Sequence, residues 1–483
     1  MKKFFLFVIL LFFSQLSLLS QPFRDMNDLY HSYENFREKT LTDKFIKLDN
    51  IIPLIQDLKR DNRFEVRLAG HSLEGRDLYL IKYGNGSKKV FLWSQMHGDE
   101  PTATMALFDI FNFLRDPDNS FPGLRKLIRE NLSLYILPMV NPDGAEVFKR
   151  RNAMEIDVNR DALRLTTPEA QILNACFDSI KADFGFNLHD QNYLSSAGPT
   201  FKQATLSFLA PAYNEEKEIN PLRFRAIQLI SELTTNLSHY IPGHIGKYSD
   251  DFEPRAFGDN FQLKGTSTIL IESGGWKNDP HKQFVRKLNF LTLLNALHSI
   301  ATENYLNLDD TAYKNLPFND EKLFDLILRN VLFDTGDTLR MVDLGISSPR
   351  GSRENSPRLN SGISEIGDLS TFYGLDEFDL SGYSAEPISE ERVKLFNYLI
   401  PEKELNDLLF ANNRVLWKLE LNPVQQGNSS EYILSISPPS PNQEVEFKLQ
   451  NRGPVFLKKA GEKPLFLING YLFFLSEFPN EKK

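Results

Sequence analysis

His97 and Glu100 stand three residues apart in Met96-His97-Gly98-Asp99-Glu100-Pro101. An imidazole nitrogen and a carboxylate oxygen are two of the donors a zinc ion takes. A catalytic site adds one more protein ligand and leaves a position for water. So short a motif arises by chance, so its surroundings must carry the reading. Lys89 to Gln95 is an apolar run that reads as a buried strand. From Thr102 to Leu114, Met105, Leu107, Phe108, Phe111 and Leu114 recur at helical spacing. The pair therefore sits on a strand-to-helix turn, with Glu100 in the first helical turn, where both side chains can reach one point.

Other polar residues gather at the ends of apolar strands. Leu132 to Val140 ends in Asn141-Pro142-Asp143-Gly144, a strong turn signal. The irregular segment from Ala145 to Ala162 holds the densest polar cluster, including Arg150-Arg151-Asn152-Ala153 and Asp157-Val158-Asn159-Arg160. Phe184 to Leu188 runs into His189, and Thr268 to Ile271 runs into Glu272. A carboxylate that closes an apolar strand is costly to bury unless it is used or paired. A hairpin is expected from Phe64–Gly70 and Asp77–Gly84 around a Gly-bearing turn. Helices are expected over 42–58, from the Thr167 cap and Pro168 onward, over 221–240 and over 281–305, with Pro53 kinking or dividing the first. Strands alternating with helices make an α/β sheet, and open α/β sheets place ligands beyond the strand C-terminal ends.

These elements, in this order, resemble the zinc carboxypeptidase family, the carboxypeptidase A-like metallopeptidases. The likeness covers roughly residues 40–305 and includes Gly70-x-Ser72-x-x-Gly75-Arg76 in the hairpin. It implies a mixed sheet flanked by helices. His97, Glu100 and His189 would give two imidazoles and one carboxylate to a single zinc ion, the open arrangement of a catalytic site. Asp157 matches the carboxylate that holds the His97 ring by its other nitrogen. Glu272 matches the general base that takes a proton from the attacking water and passes it to the leaving amine. Arg150 matches the arginine beside the scissile carbonyl, with a shift to Arg151 left open. Asn159 and Arg160 match the pair that grips a terminal carboxylate, a task suited to the guanidinium fork. Tyr248 is the nearest candidate for the family's mobile tyrosine, although its surrounding loop departs from the pattern. The short span from Arg160 to His189 implies a trimmed loop. Between His244 and Gly265, Phe257, Asp259 and Arg255 are available to a specificity pocket, without deciding its preference. Zinc is read from ligand type, and other divalent metals suit the same donors.

The 483-residue chain carries a formal net charge of −9 and no basic tract, which argues against nucleic acid as its main partner. Met1-Lys2-Lys3 followed by the apolar run to Leu19 reads as a secretory signal over 1–20, cleaved near Ser20. No later segment is long and apolar enough to span a membrane. The single cysteine, Cys176, rules out an internal disulfide framework and reads as a buried thiol. After the catalytic domain expected at 21–305, short alternating runs over 306–483 read as a β-rich accessory region, in two small units divided near 400. Ser347 to Glu365 reads as a long loop. The expectation is an exported zinc metallocarboxypeptidase, periplasmic or extracellular, acting on a peptide or peptide-like substrate with a free carboxylate. The neighbouring readings are an amidase acting on cell-wall peptides or N-acyl amino acids and, from another class, a catalytically inactive binding module.

Overall fold

The computed structural model describes residues 25–116, 120–334, 338–347 and 362–387, with the segments 397–401, 418–423, 431–437, 455–462, 465–468 and 471–474. The leader at 1–20 and parts of the β-rich region expected over 306–483 lie outside the described residues. Two units separate. One holds the described residues up to Tyr193 together with Ala204–Asn319; the other holds Leu194–Gln203 and the described residues from Asp320 onward.

The first unit is built on an eight-stranded sheet. Its strands are β1 (Phe64–His71), β2 (Asp77–Tyr83), β3 (Lys88–Ser94), β4 (Leu132–Leu137), β5 (Phe184–Asp190), β6 (Leu206–Leu209), β7 (Ile245–Lys247) and β8 (Ser267–Ser273). They lie in the order β1-β2-β4-β3-β5-β8-β6-β7. The four central strands β4, β3, β5 and β8 are mutually parallel, while β2 meets β4 and β6 meets β8 in antiparallel fashion. Central parallel strands are covered on both faces, so they read as continuous apolar runs. Alternate residues serve different cores. Val90, Leu92, Phe186, Leu188, Ile269 and Ile271 belong to one cluster, whereas Phe91, Trp93 and Leu137 belong to another with Phe177 and Phe261.

The helices that fill these cores are α1 (Leu48–Arg60), α2 (Thr102–Arg115), α3 (Pro122–Asn131), α4 (Pro168–Ile180), α5 (Pro221–Leu237), α6 (Phe257–Leu263) and α7 (Gln283–Thr302). Pro53 lies inside α1 without dividing it. The carbonyl it leaves without a helical donor belongs to exposed Asp49 near the helix start, where water can serve it. Thr167 caps α4 as anticipated, its hydroxyl accepting the Ala170 N–H at 3.2 Å. Residues 306–319 pack with this unit: Tyr313 is buried in its core and accepts a hydrogen bond from Ala210 N–H at 3.3 Å. Among the described residues, no helix is long and apolar enough to cross a membrane.

The second unit is β-rich. Leu323–Asp334 pairs with Leu339–Ser347 in antiparallel register and with Tyr373–Asp379 in parallel register. Leu326, Leu328, Val331, Leu344, Ile346 and Leu457 share its core. The expected long loop is shorter at its C-terminal side than its composition implied. Gly362–Gly367 is a strand, because Ile363 and Ile366 find an open edge on Leu339–Ser347 to pack against. A separate three-stranded sheet joins 397–401, 431–437 and 418–423.

Candidate metal and catalytic centre

The turn after β3 is held from both sides. Gln95 adopts φ +49° and donates through Nε2 to Ile46 O at 2.9 Å and Gly98 O at 3.1 Å. A Cβ at Gly98 would sit 2.0 Å from the Gly144 carbonyl carbon, so glycine is required where the two turns touch. Glu100 N–H bonds back to His97 O at 3.1 Å, which brings the two side chains to one side.

His189 reaches the same point from the end of β5. His97 Nδ1 lies 2.8 Å from Glu100 Oε1, and His189 Nδ1 lies 2.7 Å from Glu100 Oε2. The two Nδ1 atoms are 3.2 Å apart. All three residues are buried. Asp157 takes the other ring nitrogen of His97, with Oδ1 3.0 Å from Nε2, while the same oxygen accepts Asn159 N–H at 2.9 Å. One carboxylate thus caps a short helical turn and orients an imidazole.

Parallel pairing puts Glu272 beside His189 in register. Its carboxylate is buried and, among the described residues, receives no hydrogen bond. Burial, then the charges of Glu100 and Asp190, push its pKa well above the ordinary glutamate value. Glu100 moves the other way. Burial opposes its charge, but His97 and His189 outweigh that and hold it well below the usual range. For His97, burial opposes protonation, yet Glu100 and the Asp157 bond raise its pKa to about 9. At His189 burial wins, and its pKa falls below the ordinary histidine value.

Arg150, rather than Arg151, faces this centre. Its Nη1 lies 3.2 Å from Glu100 Oε1, Nε donates to Asp157 Oδ2 at 3.1 Å, and Nη2 stands 3.0 Å from the same oxygen as an ion pair. Arg151 turns outward to Glu155 O. Asn159 is anchored, with Oδ1 accepting Phe257 N–H at 2.9 Å and Nδ2 3.4 Å from His189 Nε2. Arg160 donates to Asn159 O at 2.8 Å and stands 3.6 Å from Glu253, with its side chain 41% exposed. Tyr248 is also exposed. The Glu272 charge is the largest influence holding its hydroxyl above the ordinary tyrosine pKa. Burial pushes the Asp259 pKa up to about 7, and its Oδ1 accepts Glu253 N–H. Arg255 pairs with Glu253 through Nε at 2.8 Å. Nothing in the sequence pattern singles out Asp190 or Lys282, which meet next to the centre.

His97, Glu100 and His189 offer ligand atoms that all lie within 4.8 Å of one another. Two imidazoles and a carboxylate suit zinc, and a carboxylate on the rear nitrogen of one imidazole is the usual support of such a ligand. The residues present fit the ion.

Comparison with known proteins agrees over this part of the chain. The family model described as zinc carboxypeptidase matches residues 51–205. That match covers about a third of the chain. The matched segment contains His97, Glu100, Arg150, Asp157, Asn159, Arg160 and His189, whereas Glu272 lies beyond it. Carboxypeptidase SOL1 of Arabidopsis thaliana is 30% identical over 136 residues, 25% of this chain and 28% of that protein. Carboxypeptidase 2 of Trichophyton rubrum is 28% identical over 115 residues, 23% of this chain and 21% of that protein. The match thus spans less than a third of either relative's length. A metallo-carboxypeptidase from Pseudomonas aeruginosa, solved with (2-guanidinoethylmercapto)succinic acid, superposes with a TM-score of 0.43 at 15% identity, covering 54% of this chain and 70% of that one.

Proposed function

We propose that this chain is an exported metallocarboxypeptidase that hydrolyses the C-terminal peptide bond of a peptide or peptide-like substrate. His97, Glu100 and His189 hold one zinc ion per chain. The observation that carries the reading is the convergence of two imidazole Nδ1 atoms on Glu100, with Glu272 in register beside His189. When bound, zinc supplies a Lewis acid and lowers the pKa of a coordinated water.

The chain's own residues do the rest. Glu272 accepts the proton of the attacking water at its carboxylate and delivers it to the leaving amine. A raised pKa suits both halves of that transfer. Arg150 directs guanidinium N–H groups toward the oxygen of the scissile carbonyl, where negative charge develops. Arg160 grips the terminal carboxylate with Asn159 beside it. Tyr248 closes over the bound residue and shields the reacting bond from bulk water. The basic and apolar leader supports export.

The test pairs metal analysis with hydrolysis. Purified mature chain should hold about one zinc, lost in His189→Ala. Peptides with a free C-terminal carboxylate should be cleaved far faster than their amides. Equal cleavage of both would defeat the carboxypeptidase reading and turn attention to cell-wall peptides and N-acyl amino acids. A metal-free wild type, even after zinc is supplied, would favour a binding module.

A further inference from the structure

Glu100, His189 and Glu272 come from three separate stretches of chain. Sheet pairing aligns β5 and β8 only as far as Asp190 and Ser273, where both strands end. We propose that Lys282, acting through Asp190, is a positioning residue that fixes Glu272 relative to the His97–Glu100–His189 cluster. The inference rests on the hydrolase reading above.

Lys282 ties the two strand ends together. Its Nζ donates to Asp190 Oδ2 at 3.1 Å and to Ser273 O at 2.9 Å. Those residues directly follow His189 and Glu272. Asp190 reaches the third stretch as well. Its Oδ2 accepts the Thr102 hydroxyl at 2.5 Å, and its N–H donates to Glu100 Oε2 at 3.1 Å. Gln191 N–H adds a bond to Ser273 O at 3.0 Å. One lysine and one aspartate therefore connect all three segments within a hydrogen bond or two of the reacting groups.

The junction is dry. The Lys282 and Asp190 side chains are 15% and 6% exposed, and Thr102 is fully buried. In such surroundings an ammonium and a carboxylate hold each other firmly, and removing one strands the other. An ammonium also offers three donors on a long stem, which a shorter neutral side chain does not. Lys282 adopts φ +55° just ahead of α7, a conformation that is uncommon for a residue with a side chain. That local strain is tolerated where it aims the side chain back at the two strand ends.

The experiment compares zinc-loaded wild type with Lys282→Met and Lys282→Arg by steady-state kinetics on a free-acid peptide and by amide hydrogen exchange. In Lys282→Met, kcat should fall about tenfold to a hundredfold, as a misplaced reacting group predicts, with KM nearly unchanged and zinc retained. Exchange at the Asp190 and Gln191 amides should quicken about tenfold while α7 stays protected. Lys282→Arg should restore most of both. If Lys282→Met does not fold, Lys282→Gln carries the same comparison. Unchanged kcat, whether or not exchange quickens, overturns the positioning role. A wild type that cleaves no substrate overturns the hydrolase reading instead, and the exchange data then decide alone whether Lys282 holds the two strand ends.

Discussion

Asp157→Asn changes one oxygen into an amide nitrogen and should weaken zinc binding without emptying the ligand set. Asp157 uses both oxygens. Oδ1 takes His97 Nε2 and Asn159 N–H, while Oδ2 accepts Arg150 Nε–H and pairs with the Nη2 end of the same guanidinium. Asparagine can satisfy only one side. With its carbonyl toward His97, its amino group meets the Arg150 guanidinium, donor against donor. With its amino group toward His97, it donates to Nε2 and drives the ring proton onto Nδ1, the atom that faces Glu100 and His189. In both orientations the site also loses a negative charge beside a buried imidazole. Removing such a support costs about tenfold to a hundredfold in metal affinity, or about 1.4–2.7 kcal/mol. The assay is zinc affinity by competition with a chromogenic chelator, on metal-free wild type and variant of matched far-UV circular dichroism. Affinities within twofold of each other in a folded variant would refute the assigned role of Asp157.

Glu272→Gln should keep its zinc and lose about two to four orders of magnitude in kcat, the usual worth of a positioned general base; near-normal turnover would exclude it from proton transfer. Arg286→Met should destabilise the fold by about 3–5 kcal/mol, read from denaturant midpoints. Arg286 and Asp109 form a fully buried ion pair, and the same guanidinium donates to Glu38 O and Leu41 O, so its removal leaves a carboxylate and two carbonyls short of donors. A loss below 1 kcal/mol would show that the surroundings relax to satisfy them. Asp250 gives a pH-dependent test. Burial opposes its charge, but the bond from Arg223 at 2.8 Å prevails and holds its pKa below the ordinary aspartate value. A depressed folded pKa contributes stability above the unfolded value near 4, and that contribution is lost as pH falls through the folded value. The difference in melting temperature between wild type and Asp250→Asn should therefore be constant above about pH 5 and shrink below about pH 4. A constant gap down to pH 3 would contradict it.

By itself the sequence determined the framework of the centre. Buried parallel strands read as apolar runs, so a polar residue at the end of such a run stands out, as His97, His189 and Glu272 do. Turn chemistry is equally local, and Asn141-Pro142-Asp143-Gly144 and the Thr167-Pro168 helix start follow from backbone preferences of those residues. Tertiary structure decided what depends on neighbours distant in sequence. Only packing distinguishes Arg150, turned toward Glu100 and Asp157, from Arg151, turned outward. Only an open strand edge recruits Gly362–Gly367 from a segment with the composition of a loop. Pro53 is tolerated where Asp49, whose carbonyl it deprives of a donor, is an exposed residue near the helix start, a fact about exposure rather than propensity. The meeting of Lys282 with Asp190 and Ser273 leaves no mark in spacing or periodicity, because it is made by two parallel strands ending side by side and a turn that brings the chain back across them.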